Sequence, residues 1–368
     1  MIYRTSKSEI TLYREEDALS QSDLKKLLGG MDNFMKEDSE KQSLPMIIGS
    51  AVDTILTGAE GEFEEKFHII SIPKPSETIE NILLSVYEMS DNKNAPLPDM
   101  LDFVQEAILA YNYQANWKME TRVSKIMEHF IYYEEIKKCA GKIVLSPADM
   151  EVINNVVESL RTNPVTKEFF DSYTRRNVDF YYQLPLFWEY RGLKCKGLLD
   201  LVVVLKDING KVEEIIPYDL KTMSDNTLNF NETMKKRRYD IQAAWYHYGL
   251  EYCIINETLP FKADLETLSN FNFIVESVTN PGRPLIFKCS DDLMDIGRYG
   301  LPELVIEDRL IRKCIFGFEQ LLDMYHYYNE QGWREEQAIY ESNNELKLDW
   351  DFTSYQYGKY ENTIWKKI

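Results

Sequence analysis

Apolar side chains recur every three to four residues through much of the first 172 residues, which is the spacing of helices that pack one face on a core. Three such stretches begin at typical helix-initiating residues, namely Ser20, Pro45 and Ser146-Pro147. A serine side chain can accept a hydrogen bond from the first helical turn, and proline is tolerated there because that position needs no N–H donor. Residues 1–172 are therefore predicted to be mostly helical.

The spacing changes to two after residue 172. Apolar side chains alternate from Phe180 to Trp188, and Arg191-Gly192 has the composition of a hairpin turn. A return strand is predicted from Leu193 to Leu205. The turn signal Asn209-Gly210 then leads to a third strand, Val212 to Lys221. These patterns predict three consecutive antiparallel strands.

Further elements follow the three strands. The sequence predicts a helix over 235–250, strands over 271–276 and 284–289, and helix over 291–330. The chain then divides into three parts: a mostly helical part (1–172), a strand-rich core (173–330) and an extension of unknown role (331–368).

Composition narrows the classes of function. The chain has 368 residues, 42 Lys or Arg, 61 Asp or Glu and a formal net charge of −19. Its apolar stretches are shorter than the roughly 20 residues of a membrane span, and residues 1–14 lack the apolar core of a secretory signal. We therefore expect a cytoplasmic protein that does not bind a membrane. The negative charge repels polyanions, so nucleic-acid binding would require a local basic groove or bound cations.

The cysteines and histidines predict no chemistry of their own. The five cysteines are spread along the chain without a C-x-x-C pair, which favours reduced thiols over a disulfide framework or a zinc or iron–sulfur site. The four histidines show no ligand spacing, and we interpret them as structural. A glycine-rich loop of the Walker type is absent from the sequence, so ATP hydrolysis is not expected.

Three charged residues on the second and third strands form the main candidate site. Asp219 and Lys221 are two positions apart at the end of a strand, so their side chains lie on one face. A short turn pairs this strand with the one that carries Asp200, which brings the second carboxylate within reach. Two carboxylates suit a hard divalent ion such as Mg²⁺, and the lysine can orient the attacking water and offset charge on a phosphate.

The short motif has an ordinary explanation as well. An acidic residue two positions before a lysine also occurs at Asp23-Leu24-Lys25, Glu64-Glu65-Lys66, Glu135-Ile136-Lys137 and Glu345-Leu346-Lys347. The alternative interpretation of Asp219 and Lys221 is thus a solvated strand end with ordinary surface charges. Their position on an apolar strand, one hairpin after Gly197 and Asp200, distinguishes them from the other triplets.

A basic segment begins the helix after the third strand. The run Lys235-Lys236-Arg237-Arg238 is followed by Gln242 and Tyr246, and steps of four residues place Arg238, Gln242 and Tyr246 on one helical face. The functional interpretation is contact with phosphates. A solvated helix face is the alternative.

The order of these motifs resembles the PD-(D/E)xK nuclease superfamily, and within it the phage-type recombination exonucleases related to exonuclease VIII (RecE) and, more distantly, lambda exonuclease. The resemblance covers roughly residues 18–290. Its motifs are Ser20-Gln21-Ser22, Gly49-Ser50-Ala51-Val52-Asp53, Lys196-Gly197-Leu198-Leu199-Asp200, Asp219-Leu220-Lys221 and Gln242-x-x-x-Tyr246.

The resemblance implies an α/β (α+β) fold with a restriction-endonuclease-like core, in which helices flank a mixed central sheet and the N-terminal helices lie beside the active site. It implies two Mg²⁺ or Mn²⁺ ions and no iron–sulfur cluster. The implied metal ligands are Asp53, Asp200, Asp219 and the Leu220 carbonyl. The implied catalytic residues are Asp200, Asp219, Lys221, Gln242 and Tyr246, and Lys235, Lys236, Arg237 and Arg238 are expected to contact the nucleic acid.

Two positions depart from the pattern of the family. Asp53 stands where relatives of exonuclease VIII carry histidine, so either a metal role with altered metal preference or a lost ligand is expected. Gln183 stands at about the place where such exonucleases carry glutamate, which leaves a fourth acidic ligand in doubt.

The resulting hypothesis is a Mg²⁺-dependent DNA exonuclease that degrades duplex ends to 5′-phosphate products for recombination or repair in a phage-type system, in the host cytoplasm if phage-encoded. A homo-oligomer is expected because the relatives form rings that thread DNA. A single-strand annealing or recombinase partner is expected because the exonuclease would leave single-stranded DNA. Two alternatives remain: a nuclease-fold module that binds DNA or protein without cutting, and an endonuclease on the same core.

Overall fold

The computed structural model describes most of the chain, and the extension beyond residue 331 lies outside the described residues. The described ranges are 1–35, 43–70, 72–139, 141–170, 176–306, 309–312 and 314–331.

The elements follow one another in the order of the chain. The strands are β1 (Ile2–Arg4), β2 (Phe67–Ile69), β3 (Ile143–Leu145), β4 (Val178–Tyr190), β5 (Leu193–Lys206), β6 (Val212–Met223), β7 (Asn272–Ser277), β8 (Leu285–Lys288), β9 (Leu304–Ile306) and β10 (Arg309–Arg312). The helices are α1 (Lys7–Glu15), α2 (Gln21–Lys26), α3 (Met31–Met35), α4 (Leu44–Thr57), α5 (Glu62–Lys66), α6 (Glu77–Met89), α7 (Leu101–Ala110), α8 (Met119–Met127), α9 (Phe130–Lys138), α10 (Pro147–Thr162), α11 (Lys167–Phe170), α12 (Phe230–Arg237), α13 (Tyr239–Ile255), α14 (Asp291–Tyr299) and α15 (Phe318–Gln331).

The chain forms two compact units. The first contains residues 1–43, 57–59 and 159–368, and the second contains 44–56 and 60–158. The large sheet belongs to the first unit, together with the N-terminal helices α1 to α3.

A mixed sheet forms the centre of the first unit, in the order β1-β4-β5-β6-β7-β8. The three consecutive strands β4, β5 and β6 are antiparallel, β7 lies parallel to β6, and β8 pairs antiparallel with β7. The predicted fold class, a mixed sheet flanked by helices, is confirmed. The predicted bounds of the hairpin strands agree with the observed strands to within a few residues.

Helix α13 covers one face of the sheet. Ile241 and Trp245 are fully buried in a core that also contains Leu199 and Phe273. The other face packs against α11, where the rings of Phe169 and Tyr218 lie 4.8 Å apart between centroids.

Two glycines allow α13 to approach the sheet closely. A Cβ atom on Gly197 of β5 would lie 2.9 Å from Cδ1 of Tyr246, and one on Gly249 of α13 would lie 2.8 Å from Cζ3 of Trp188. Both distances are shorter than van der Waals contact. The glycine three residues before Asp200 is therefore required by the ring of Tyr246, which packs directly on the strand.

The alternation along β4 reverses at Gln183. Leu184, Leu186 and Trp188 belong to the core beneath α13, as does Tyr181, whereas Tyr182 donates its hydroxyl hydrogen bond to the Phe169 carbonyl on the other face. Gln183 has a left-handed backbone with φ of 52°. The single uninterrupted alternation predicted from Phe180 to Trp188 is therefore wrong, because one residue changes the phase of the strand.

The helix predicted over 235–250 is divided in two. Arg238 has φ of 51° and ψ of 52°, ends α12 and precedes α13. The prediction that Arg238 shares a helical face with Gln242 and Tyr246 is wrong for this reason. The helix predicted over 291–330 is also interrupted, because β9 and β10 pair between α14 and α15.

The second unit is mostly helical. Its core includes Ile82 and Leu83 of α6, Val104 of α7 and Tyr133 of α9, all fully buried. Strands β2 and β3 pair in parallel. The predicted helix at Pro45 is observed as α4, and the predicted start at Ser146-Pro147 is observed as α10.

Every helix in the described part of the chain is too short or too polar to cross a membrane.

Candidate functional site

The candidate site lies where β5 and β6 separate. The pair Leu201–Tyr218 is the last of the ladder between them, and Asp200 and Asp219 follow it on the two strands. The backbone N–H of Leu220 donates to Oδ2 of Asp200 at 2.8 Å. A carboxylate thus takes the place of a main-chain acceptor at the point where the strands part.

Asp219 is the most buried charged group of the site, with a relative exposure of 2%. Its Oδ1 accepts a hydrogen bond from Nε2 of Gln242 at 2.6 Å, and its Oδ2 lies 2.6 Å from Nζ of Lys221. The first contact fixes the carboxylate from α13, and the second fixes it from its own strand. Lys221 and Asp219 therefore lie on one face, as strand alternation requires.

The carboxylates of Asp200 and Asp219 both raise the pKa values of Lys221 and Tyr246. Burial lowers the pKa of Lys221, but Asp219 first, and then Tyr239 and Asp200, outweigh it, so the pKa lies above that of an ordinary lysine. Burial and the same two carboxylates raise the pKa of Tyr246 well above 10. The Tyr246 hydroxyl is therefore neutral at physiological pH, and it feels the charge of both Asp200 and Asp219.

Gln183 contacts the site from β4. Its Nε2 donates to Oγ1 of Thr57 at 2.7 Å and lies 3.5 Å from Oδ1 of Asp200. A non-glycine residue with a left-handed backbone inside a strand is strained, and such strain is concentrated at functional sites. The structure therefore places Gln183 beside Asp200, so a neutral amide lies where the resemblance implies a glutamate.

Tyr239, the first residue of α13, carries two ammonium groups near its ring. Nζ of Lys221 lies 4.8 Å from the ring centroid, and Nζ of Lys25, from α2, lies 5.7 Å from it. Sequence reasoning missed both Tyr239 and Lys25. Lys25 belongs to one of the acidic-x-Lys triplets whose spacing is that of ordinary surface charges. Only the tertiary fold brings Lys25 of α2 close to Tyr239 and Lys221.

The basic segment divides into two groups with different surroundings. Lys235, Lys236 and Arg237 are exposed in the last turn of α12. Arg238 instead pairs with Asp240, with its Nη2 atom 2.8 Å from Oδ2, and it also donates to the Phe316 carbonyl at 2.5 Å. The structure therefore gives Arg238 an internal role at the junction of α12 and α13. Contact with DNA stays a prediction for the basic run.

Asp53 lies in α4, one helical turn before Thr57, and is partly buried. It belongs to the second unit, and its role as a metal ligand stays a prediction. Among the described residues, no three side chains of His, Cys, Asp or Glu are grouped to hold a metal ion. The first unit brings the carboxylates of Asp200 and Asp219 to the end of the β5–β6 ladder, and the Leu220 carbonyl as a further metal ligand stays a prediction. All are hard oxygen donors, which is the chemistry that Mg²⁺ prefers.

Comparison with known proteins gives little further information. No protein-family model and no curated protein sequence matches the chain. Among solved structures, the chain is similar to the crystal structure of a putative exonuclease from Eubacterium rectale, with a TM-score of 0.42 and 14% identity over 94% of this chain and 95% of that chain. A similarity at this level does not establish function.

Proposed function

We propose that the protein is a Mg²⁺-dependent DNA exonuclease that hydrolyses phosphodiester bonds from duplex ends and leaves 5′-phosphate products. The observation that carries the proposal is the convergence of Asp200, Asp219 and Lys221 where β5 and β6 separate. Two carboxylates and one ammonium, held by strands and by α13, form a site for a divalent ion next to a cation. This combination suits an anionic substrate with a poor leaving group, such as a phosphodiester.

The residues present fit a divalent ion. Asp200 and Asp219 would hold it, with the Leu220 carbonyl as a further ligand, and a ligand role for Asp53 stays a prediction. When bound, the ion lowers the pKa of a water molecule and polarises the phosphate. Gln242 keeps Asp219 in place through its 2.6 Å hydrogen bond, so the carboxylate is positioned before the ion binds.

The remaining groups act on the substrate. The ammonium of Lys221 orients the attacking water and offsets the charge that develops on the phosphate. Tyr246 lies close to both carboxylates, and its neutral hydroxyl can donate a hydrogen bond. Gln183 lies beside Asp200 and supports it from β4.

The exposed basic turn of α12 gives the substrate a path to the site. Lys235, Lys236 and Arg237 directly precede Arg238 and Tyr239, and the ring of Tyr239 lies against Lys221. These three cations are close in sequence to the residue that packs on Lys221, and we propose that they guide the phosphates of a DNA strand toward the site. The basic turn thus supplies the local positive surface that a chain with a net charge of −19 requires to bind DNA.

The test uses an end-labelled linear duplex and a closed circular duplex of the same sequence. Wild type should degrade the linear duplex with Mg²⁺, lose activity in EDTA and leave the circle intact. Asp219→Asn should be inactive. A matched control is Asp179→Asn, since Asp179 is also buried and ion-paired, with Lys206, but lies elsewhere in the sheet.

The control should cleave as well as wild type for each folded molecule. Cleavage that survives in Asp219→Asn, or that is absent from wild type, contradicts the proposal. Cleavage of the circle would instead favour an endonuclease. A role in phage-type recombination, with a homo-oligomer and an annealing partner, belongs to the same proposal, and light scattering with and without duplex ends tests the oligomer.

A further inference from the structure

Helix α2 is attached firmly to the sheet beside the candidate site. Leu19, just before the helix, donates its N–H to the Lys194 carbonyl at 2.9 Å, and its own carbonyl accepts from the N–H of Lys196 at 2.8 Å. The helix then starts with a capping box, in which Ser20 and Asp23 satisfy each other's backbone donors. The side chains of α2 are thus held in a fixed position relative to β5.

Lys25 lies on this helix and places a second ammonium group beside the site. Its Nζ lies 5.7 Å from the centroid of the Tyr239 ring, against which Lys221 also lies at 4.8 Å. The two lysines come from different elements of the first unit, one from α2 and one from β6. Because both ammonium groups lie near the ring of Tyr239, Lys25 is close to Lys221, the proposed catalytic lysine.

The neighbouring carboxylates are already engaged. Those whose charges act on Lys25 belong to Asp219 and Asp240. Asp219 is held by Lys221 and Gln242, and Asp240 is paired with Arg238. Lys25 therefore lies near Lys221 and Arg238, the two cations that already engage these carboxylates, and it forms no ion pair of its own with the described residues.

Such a position is unfavourable for a lysine that has only a packing role. Burial and the charge of Lys221 lower the pKa of Lys25 to about 8. The cation–π contact with Tyr239 supplies no full negative charge to compensate this ammonium. A phosphate, in contrast, would relieve both the repulsion between the lysines and the lack of a paired anion.

We infer that Lys25 is a phosphate-binding residue of the site and contacts a non-bridging oxygen of the DNA backbone at or next to the cleaved linkage, together with Lys221. This inference rests on the proposed nuclease function and adds a second, separately testable cation to it. A divalent ion on Asp200 and Asp219 makes the cluster more positive, which strengthens its attraction for the phosphate.

The experiment compares Lys25→Met with Lys25→Arg and with Lys26→Met. Methionine keeps most of the apolar stem and removes the charge, and arginine keeps the charge. Lys26 is a matched control, since it is the next residue on the same short helix and its Nζ lies 3.9 Å from Asp23 rather than beside Tyr239. If Lys25→Met does not fold, Lys25→Gln takes its place.

Two quantities are measured. The first is kcat/KM on linear duplex with Mg²⁺, which should fall at least tenfold in Lys25→Met and stay within about threefold of wild type in Lys25→Arg and Lys26→Met. The second is the salt dependence of duplex binding in EDTA, where no cleavage occurs. Loss of one phosphate contact should reduce the slope of log K against log salt by about one unit.

The outcomes separate the two hypotheses. If wild type cleaves and Lys25→Met matches Lys26→Met in both kcat/KM and salt slope, Lys25 does not contact phosphate and the inference is overturned while the nuclease proposal stands. If wild type neither cleaves nor binds duplex, the proposed function is overturned and the inference falls with it.

Discussion

Replacing Gln242 with methionine tests how the site holds its central carboxylate. Nε2 of Gln242 donates to Oδ1 of Asp219 at 2.6 Å, and the two residues have relative exposures of 4% and 2%. Methionine has nearly the same volume, so packing should change little. Removing the donor leaves a buried carboxylate oxygen without this partner, and hydrogen bonds to charged groups contribute about 1.5–3 kcal/mol.

We expect Gln242→Met to lower the free energy of unfolding by about 2 kcal/mol, which is roughly a 30-fold change in the ratio of folded to unfolded protein. The carboxylate should also lose its fixed position. Mutation of residues that orient a metal ligand reduces activity or metal affinity by about 10–100-fold, so kcat/KM should fall by a similar factor. Urea denaturation measures the first effect, and cleavage of linear duplex under saturating Mg²⁺ measures the second.

Gln320→Met separates the two effects. Gln320 is another buried glutamine of the first unit, and it accepts from the Gly317 N–H at 2.7 Å and donates to the Tyr299 carbonyl. Its replacement should reduce stability without changing kcat/KM for each folded molecule. If Gln242→Met is as active as Gln320→Met, or if it changes stability by less than about 0.5 kcal/mol, the reasoning about Asp219 is refuted.

Three further changes have definite expected outcomes. Gly197→Ala places a Cβ atom 2.9 Å from the Tyr246 ring, so overpacking should lower the free energy of unfolding in urea by about 1–3 kcal/mol and should reduce cleavage. Unchanged stability and cleavage would show that the ring has room to move. Arg238→Ala removes the ion-pair partner of the buried Asp240 carboxylate and should lower the free energy of unfolding by about 3–5 kcal/mol. The duplex affinity of the folded protein, measured by an anisotropy titration, should stay unchanged, and a selective loss of affinity would contradict the internal role of Arg238. Burial lowers the pKa of Lys25 from 10.5 to about 8, so between these pH values the unfolded chain binds more protons than the folded protein. The free energy of unfolding of wild type should therefore rise relative to that of Lys25→Met from pH 8 to 10.5. A difference that stays constant over this pH range would contradict the burial of Lys25.

Local sequence patterns were sufficient for the three hairpin strands and for part of the candidate site. The turn residues Arg191-Gly192 and Asn209-Gly210 set the lengths of the connections, and the apolar alternation between them gave β4, β5 and β6. Strand alternation alone placed Asp219 and Lys221 on one face, and their side chains lie 2.6 Å apart. These predictions succeeded because they depend on neighbours in sequence or across one short hairpin.

Other features depend on tertiary contacts and could not be predicted in this way. The break at Arg238 follows from its ion pair with Asp240 and its hydrogen bond to Phe316, 78 residues away, whereas the local sequence favours a continuous helix. The position of Lys25 depends on the attachment of α2 to β5 through Leu19. Neither contact leaves a periodic signal in the sequence.

The separation of β5 and β6 links these observations. A continuous ladder would hide the Leu220 N–H and would leave no space between the strands for a ligand. Because Oδ2 of Asp200 accepts that N–H, the strands can part without leaving a buried donor unpaired. The left-handed backbone at Gln183 reverses the phase of β4 at the level of Asp200, so that its amide can reach Oδ1 of that residue. The hydrogen bonds of Asp200 thus allow β5 and β6 to separate, and Asp200 itself lies at the point of separation. Backbone strain, burial and charge therefore occur together at this point of the sheet.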